Sequence, residues 1–241
     1  MSNESSRGTL YLLPNTLGKT PENNTIPEYV LRVIRSLDHL VVENTQAAVR
    51  YLQWVGDAKP EYEIQFRVLN KKTPDHEIAS FVKPLREGHD VGLLSEAGMP
   101  AVADPGSALV QLAHAEGVRV APLTGPSSIF LALAASGFNG QQFCFHGYLP
   151  IDRNQRRSTI QRLEKRAQKD GATQIFMEAP HRNDAIVEDV LELCAGDTRF
   201  CTATNLTLPD EKIRSAPVSR WKESDPASIH KEPTIFLLAA S

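Results

Sequence analysis

The chain has 241 residues, of which 41% are hydrophobic and 23% charged, and its formal net charge is −3. That length accommodates one large domain or two small ones with ample core, and the composition is that of an ordinary soluble globular protein. The charge balance excludes a polycation built to coat nucleic acid, so any RNA contact needs a local basic face.

Cys144, Cys194 and Cys201 stand singly in apolar or mixed runs, without CxxC spacing. Buried free thiols in a reducing compartment account for them most simply. The histidines are scattered, with no zinc-ligand spacing. Met1–Gly8 is polar and lacks the apolar core of a secretory leader. No apolar run approaches the ~20 residues of a membrane span, so a cytoplasmic protein is expected.

In chain order, Met1–Arg7 is expected to fray, and Thr9–Leu13 is a short apolar strand stopped by Pro14-Asn15. After a polar loop, Pro27 opens a helix with Tyr29, Val30, Val33, Ile34 and Leu37 on one side. Leu40–Val42 is the next strand, and Thr45 is the expected N-cap of a helix through Trp54. Alternation of Tyr62, Ile64, Phe66 and Val68 predicts a strand over Tyr62–Leu69; Thr73-Pro74 then begins a helix carrying Ile78, Phe81, Val82 and Leu85. The strand Val91–Leu94 is followed by a helix over Ser107–Glu116, the strand Val118–Leu123 and a helix over Ser127–Ser136. Gly117 and Gly137 stand where helix-ending residues belong. This alternation with short connections implies a parallel sheet covered on both faces.

From Phe143 the pattern starts afresh. Strands are expected at Phe143–Gly147, Thr173–Met177, Phe200–Asn205 and Thr234–Ala239, with an edge strand at Lys212–Ala216. Helices are expected from Asp152 to about Lys169 and over Asn183–Cys194. A mixed sheet fits these strands.

Two apolar runs, Val91–Leu94 and Val118–Leu123, end abruptly in Gly, Pro and small polar residues. Ligands in open α/β sheets sit beyond such carboxyl ends. One tight turn of this kind is ordinary structure; two in adjacent units point to a site. The residues there are Ser95-Glu96-Ala97-Gly98-Met99-Pro100, Asp104-Pro105-Gly106 and Leu123-Thr124-Gly125-Pro126-Ser127-Ser128, followed by Phe145-His146-Gly147-Tyr148-Leu149-Pro150. These segments resemble the signatures of the tetrapyrrole methylase superfamily of S-adenosylmethionine-dependent methyltransferases. They are most similar to its branch that methylates a cytidine ribose 2′-oxygen in bacterial small-subunit ribosomal RNA, in a short form. The resemblance implies two α/β domains, 1–124 and 125–241, with the cofactor in the cleft between them and a homodimer as the assembly. Sequence pattern alone also tolerates a boundary near Pro150.

The resemblance further implies cofactor contacts at Leu13 and Pro14, at Ser95, Met99 and Val102, at Ser127 and Ser128, and more loosely at Met177, Leu206, Pro233 and Thr234. Gly98 joins them as a small residue that allows close approach. The loop Leu13–Gly18 lacks the Gly-x-Gly-Pro-Gly of the tetrapyrrole enzymes and is closer to the RNA branch. Met99 stands where that branch has Thr, and Asn205-Leu206-Thr207-Leu208 where it has Glu-Leu-Thr-Lys.

Methyl transfer from a sulfonium needs positioning in a dry site rather than a metal. A ribose hydroxyl is a poor nucleophile, so a base helps. Glu96, Asp104 and His181 are the catalytic candidates, although Asp104 before Pro105-Gly106 equally fits a turn-stabilising role. Between Ile151 and Gly171, seven cations stand against three carboxylates. Arg153, Arg156 and Arg157 from this stretch, with Arg182, are the candidate contacts to RNA phosphates, against the plainer reading of a solvated helix face. The alternatives that remain open are methylation of a small tetrapyrrole-like molecule and cofactor binding without catalysis.

Overall fold

A computed structural model of the chain describes residues 7–20, 22–223 and 227–241. The chain divides into two compact units between Pro126 and Ser127. The fraying expected of Met1–Arg7 falls outside the described residues except at Arg7, which is tied down: its Nη1 donates to the Glu116 carbonyl at 2.6 Å.

The first unit alternates strands and helices. It runs β1 (Thr9–Leu13), α1 (Glu28–Ser36), β2 (His39–Val42), α2 (Thr45–Val55), β3 (Gln65–Val68), α3 (Asp75–Phe81), α4 (Lys83–Arg86), β4 (Val91–Leu94), α5 (Gly106–Ala115) and β5 (Arg119–Pro122). All five strands pair in parallel, in the order β3-β2-β4-β1-β5. Covering helices explain why β2 and β4 are wholly buried while the edge strands β3 and β5 are not. One core joins the sheet to α1 and α2 through Val30, Ile34, Leu52 and Val55. The other joins it to α3, α4 and α5 through Ile78, Phe81, Leu85 and Leu109.

Several local expectations change. The cap of α2 is Asn44, whose side chain accepts from the Ala47 N–H at 3.0 Å; a carboxamide one residue earlier outcompetes the Thr45 hydroxyl. Residues Glu61–Glu63 form a 3₁₀ turn, which delays β3 to Gln65 and leaves Tyr62 86% exposed. Tyr29 also lies outside the buried face of α1, and Leu31 takes that place. The single helix expected after Pro74 breaks at Val82, because Pro84 must occupy the first turn of a new helix.

The second unit contains α6 (Ser128–Ser136), β6 (Phe143–Tyr148), α7 (Arg153–Asp170), β7 (Thr173–Met177), α8 (Asn183–Leu193), β8 (Arg199–Thr204), β9 (Lys212–Pro217), α9 (Val218–Lys222) and β10 (Thr234–Ala239). Its sheet has the order β6-β7-β10-β8-β9 and is mixed: β6 and β7 are parallel, the other pairs antiparallel. Stacked Phe176, Phe236 and Phe200 form its centre, with Ile160, Leu163, Ile186 and Trp221 from the helices. The short α9 escapes a sequence reading because five residues after Pro217 carry no periodicity. Gly137 ends α6 in the left-handed conformation, φ 70°. Cys194 and Cys201 are buried free thiols, each pushed up to about 12 by burial, and Cys144 is half-buried.

Candidate functional site

In the first unit the strand registers set the site. Leu13 and Val42 both pair with Leu94. Pro14, Glu43 and Ser95 therefore leave the sheet side by side at its carboxyl edge. Asn15, only 8% exposed, ties two of these loops together. Its Nδ2 donates to the carbonyls of Ser95 and Glu96 at 3.0 and 3.1 Å, and its main-chain N–H donates to Gly98 at 2.9 Å. Carbonyls only accept, so the amide nitrogen must face them. The remaining oxygen accepts from the Thr16 N–H at 2.8 Å. From α2, the Tyr51 hydroxyl donates to the Pro14 carbonyl at 2.7 Å, fixing the same loop from behind. Gly125 lies so close that a Cβ there would sit 2.1 Å from the Cβ of Pro14; only glycine fits.

The loop after β4 is held in an unusual shape. Ala101 and Ala103 adopt φ of 65° and 64°, which costs about 1–2 kcal/mol per residue for a side chain with Cβ. Asp104 stabilises the turn by accepting from the N–H groups of Ala101 (2.9 Å) and Gly106 (2.7 Å), the latter at the start of α5. Both carboxylate oxygens take part in these bonds, so Asp104 holds the turn. Burial pushes its carboxyl above the ordinary range, while those two hydrogen bonds pull the other way. Ser95 is buried, Met99 half-buried, and Glu96 and Val102 are exposed.

Glu43 was not singled out from sequence. Its Oε1 accepts from the Glu96 N–H at 3.3 Å. Burial raises its pKa; the Glu96 N–H opposes that, and the negative charges of Asp104 and Glu96 add to it. Only its place at the end of a buried strand, level with the signature loop, could have flagged it. A raised folded-state pKa favours the folded protein below the unfolded value, and that contribution is lost as pH rises through the folded value. Glu43→Gln should therefore gain stability relative to the parent as pH rises from about 4 to 7, read by urea unfolding across that range. A constant difference would contradict this.

In the second unit, Met177 pairs with Ile235 and Thr204 pairs with Thr234. The ends of β7 and β8 and the start of β10 are thus level, which brings together Met177, Leu206, Pro233 and Thr234. The Thr204 and Thr234 hydroxyls bond at 3.0 Å, and the Asn205 N–H donates to the Pro233 carbonyl at 2.9 Å. Asn205 and Thr207 have φ of 52° and 71°; as after β4, non-glycine residues in left-handed conformations mark this loop. Ser127 precedes α6 without making a side-chain cap bond, and Ser128 is its first residue.

The arginines go elsewhere. Arg156 is buried, bonding Asp189 through Nε (2.8 Å) and Nη2 (2.7 Å). Arg157 bonds Asp189 at 3.0 Å and Glu192 at 2.6 and 2.7 Å. These pairs clamp α7 to α8, which removes Arg156 and Arg157 from a free basic face. Arg153 is 66% exposed at its side chain and lies 3.8 Å from Asp189. Arg182 is paired with the fully buried Glu178, and His181 beside it is exposed.

The family model of tetrapyrrole (corrin/porphyrin) methylases matches residues 23–221. The chain belongs to that family. Its members are methyltransferases, and this chain is one of them. Ribosomal RNA small subunit methyltransferase I of Pseudomonas aeruginosa is 33% identical over 91% of this chain and 75% of its own length. The protein of that name from Escherichia coli O157:H7 is 30% identical over 93% of this chain and 75% of its own. That of Thermotoga maritima is 32% identical over 81% and 85%. Among solved structures, the methyltransferase CobJ superposes with a TM-score of 0.61 at 17% identity, covering 98% of this chain and 95% of that one. The cobalt precorrin-4 methyltransferase CbiF gives 0.59 at 17% identity, over 96% and 94%. At such identity these two share the fold alone. Among the described residues no helix is long and apolar enough to cross a membrane, and no three His, Cys, Asp or Glu side chains are grouped to hold a metal.

Proposed function

We propose that this methylase transfers a methyl group from S-adenosylmethionine to a ribose 2′-hydroxyl of small-subunit ribosomal RNA. The observation that carries the reading is identity of 30–33% to the ribosomal RNA enzymes over more than nine-tenths of this chain. The corrinoid enzymes share only the architecture, which by itself says nothing of substrate.

The residues fit the cofactor on two grounds. The first-unit loops are braced internally by Asn15, Tyr51 and Asp104, so they stand preformed. In the second unit, Glu178 Oε2, Arg182 Nε, Asn183 Oδ1 and Glu232 Oε2 are buried without hydrogen-bond partners among the described residues. These atoms lie near the sheet end that carries Met177 and Pro233-Thr234, and leave polar capacity for a ligand or water. Leu13, Pro14, Ser95, Gly98, Met99 and Val102 are the proposed cofactor contacts of the first unit. Ser127, Ser128, Met177, Leu206, Pro233 and Thr234 are those of the second.

When bound, the cofactor supplies a methyl group activated on a sulfonium. The braced loops do the positioning, and Glu43 and Glu96 keep a negative field at the carboxyl edge that suits a cation. Glu96, exposed and within the signature, is the proposed acceptor of the hydroxyl proton, in preference to the fully engaged Asp104. Cytoplasmic action and homodimerisation complete the reading.

Small ribosomal subunits from a strain lacking this protein, incubated with tritiated cofactor, should take label into RNA, at a ribose after nuclease digestion. Label confined to a small-molecule pool would overturn the substrate assignment.

A further inference from the structure

Four residues of α2, Ala47, Arg50, Tyr51 and Trp54, fall on one helix face by their spacing. They line a cavity of about 280 Å³ whose other walls are the loop Asn15–Thr20 and Glu96-Ala97. The volume lies just below the ~300–1,000 Å³ of small-ligand pockets, so it suits one nucleotide-sized group. Its aromatic wall is rigid. The Trp54 and Tyr51 rings stack at 5.7 Å and 18°, the Trp54 N–H donates to the Thr20 carbonyl at 2.8 Å, and the Tyr51 hydroxyl is held by Pro14. Arg50 and Lys19, both exposed, line the same cavity and form no ion pair among the described residues.

We infer that this cavity receives one unstacked nucleotide of the RNA acceptor, its base against Trp54 and its phosphate between Arg50 and Lys19. The inference rests on the proposed RNA substrate and goes beyond it by naming where the strand is gripped. The combination is that of single-strand recognition, in which an aromatic face takes any base and cations follow the backbone. Two cations, Lys19 and Arg50, against one carboxylate, Glu96, leave the lining net positive, which suits a phosphate better than the sulfonium cofactor. Glu96 ties the cavity to the signature loop, so a nucleotide held here delivers its ribose or that of a neighbour to the proposed proton acceptor.

The test titrates a short fluorescein-labelled single-stranded RNA of mixed sequence into the full chain by anisotropy, at several salt concentrations, beside calorimetry with S-adenosylmethionine. The exposed double variant Arg50→Ala with Lys19→Ala should flatten the log–log salt slope by about 0.7, the value for one lost single-strand phosphate contact. Trp54→Leu should weaken RNA binding about 5- to 150-fold, the range for one base–aromatic stack. Cofactor affinity should stay within about twofold in the double variant. Unchanged RNA affinity and slope, with the parent still labelling ribosomal RNA, would remove the cavity and leave the proposed function intact. Cofactor binding lost in parallel would assign the cavity to the cofactor instead. A parent protein that neither binds nor labels RNA would overturn both.

Discussion

Asp189→Ala should be among the most destabilising single substitutions in the second unit, lowering its unfolding free energy by about 3–5 kcal/mol. The Asp189 side chain is 1% exposed and accepts from Arg156 and Arg157 at 2.7–3.0 Å. Without it, the guanidinium of Arg156, 7% exposed, remains charged and unpaired in a packed interface. Arg157 keeps Glu192 at the surface and loses less, since exposed pairs contribute little. Urea unfolding followed by circular dichroism measures the effect. A second variant separates the lost partner from lost packing: Asp189→Leu combined with Arg156→Met removes both charges and should recover most of the loss. A loss below about 1 kcal/mol for Asp189→Ala would show that water reaches Arg156.

That ion pair also shows where reading the chain stops. A charge count along residues 151–171 finds the arginines, but Asp189 and Glu192 lie some thirty residues on and are brought opposite only by packing of α8 on α7. Periodicity located most elements, because β4 and residues Ile235–Ala239 of β10 are uninterrupted apolar runs and Gly137 can end a helix where other residues resist. It failed where a local competitor was stronger, as with Asn44 over Thr45 and Pro84 within an otherwise continuous helical pattern. The signature loop was legible as glycine, proline and small polar residues. Its bracing was not, since Asn15 reads as a residue that merely stops a strand and Glu43 as the end of one. Parallel register, which no single stretch encodes, puts Asn15 against Ser95 and Glu96, and Glu43 against the same loop.

Asn15→Ala should therefore couple a stability loss to a binding loss. Removing the carboxamide strands the carbonyls of Ser95 and Glu96, one buried and one partly so, at about 2–4 kcal/mol together. The main-chain bond from residue 15 to Gly98 survives the substitution, so the loops after β1 and β4 stay adjacent but lose their fixed spacing. A displacement of about 1 Å in a positioning element costs about 100-fold in such chemistry, so methyl transfer should fall by about that factor, and calorimetry should show weakened cofactor binding beside it. Asn15→Asp is the sharper probe. It keeps the size and the acceptor for the Thr16 N–H but turns a carboxylate oxygen toward two carbonyls. At neutral pH it should be worse than alanine, and acid should narrow the gap as a protonated carboxyl becomes able to donate to one of those carbonyls. If both variants bind S-adenosylmethionine as the parent does, the loops are held by packing against Gly125 and Tyr51 alone.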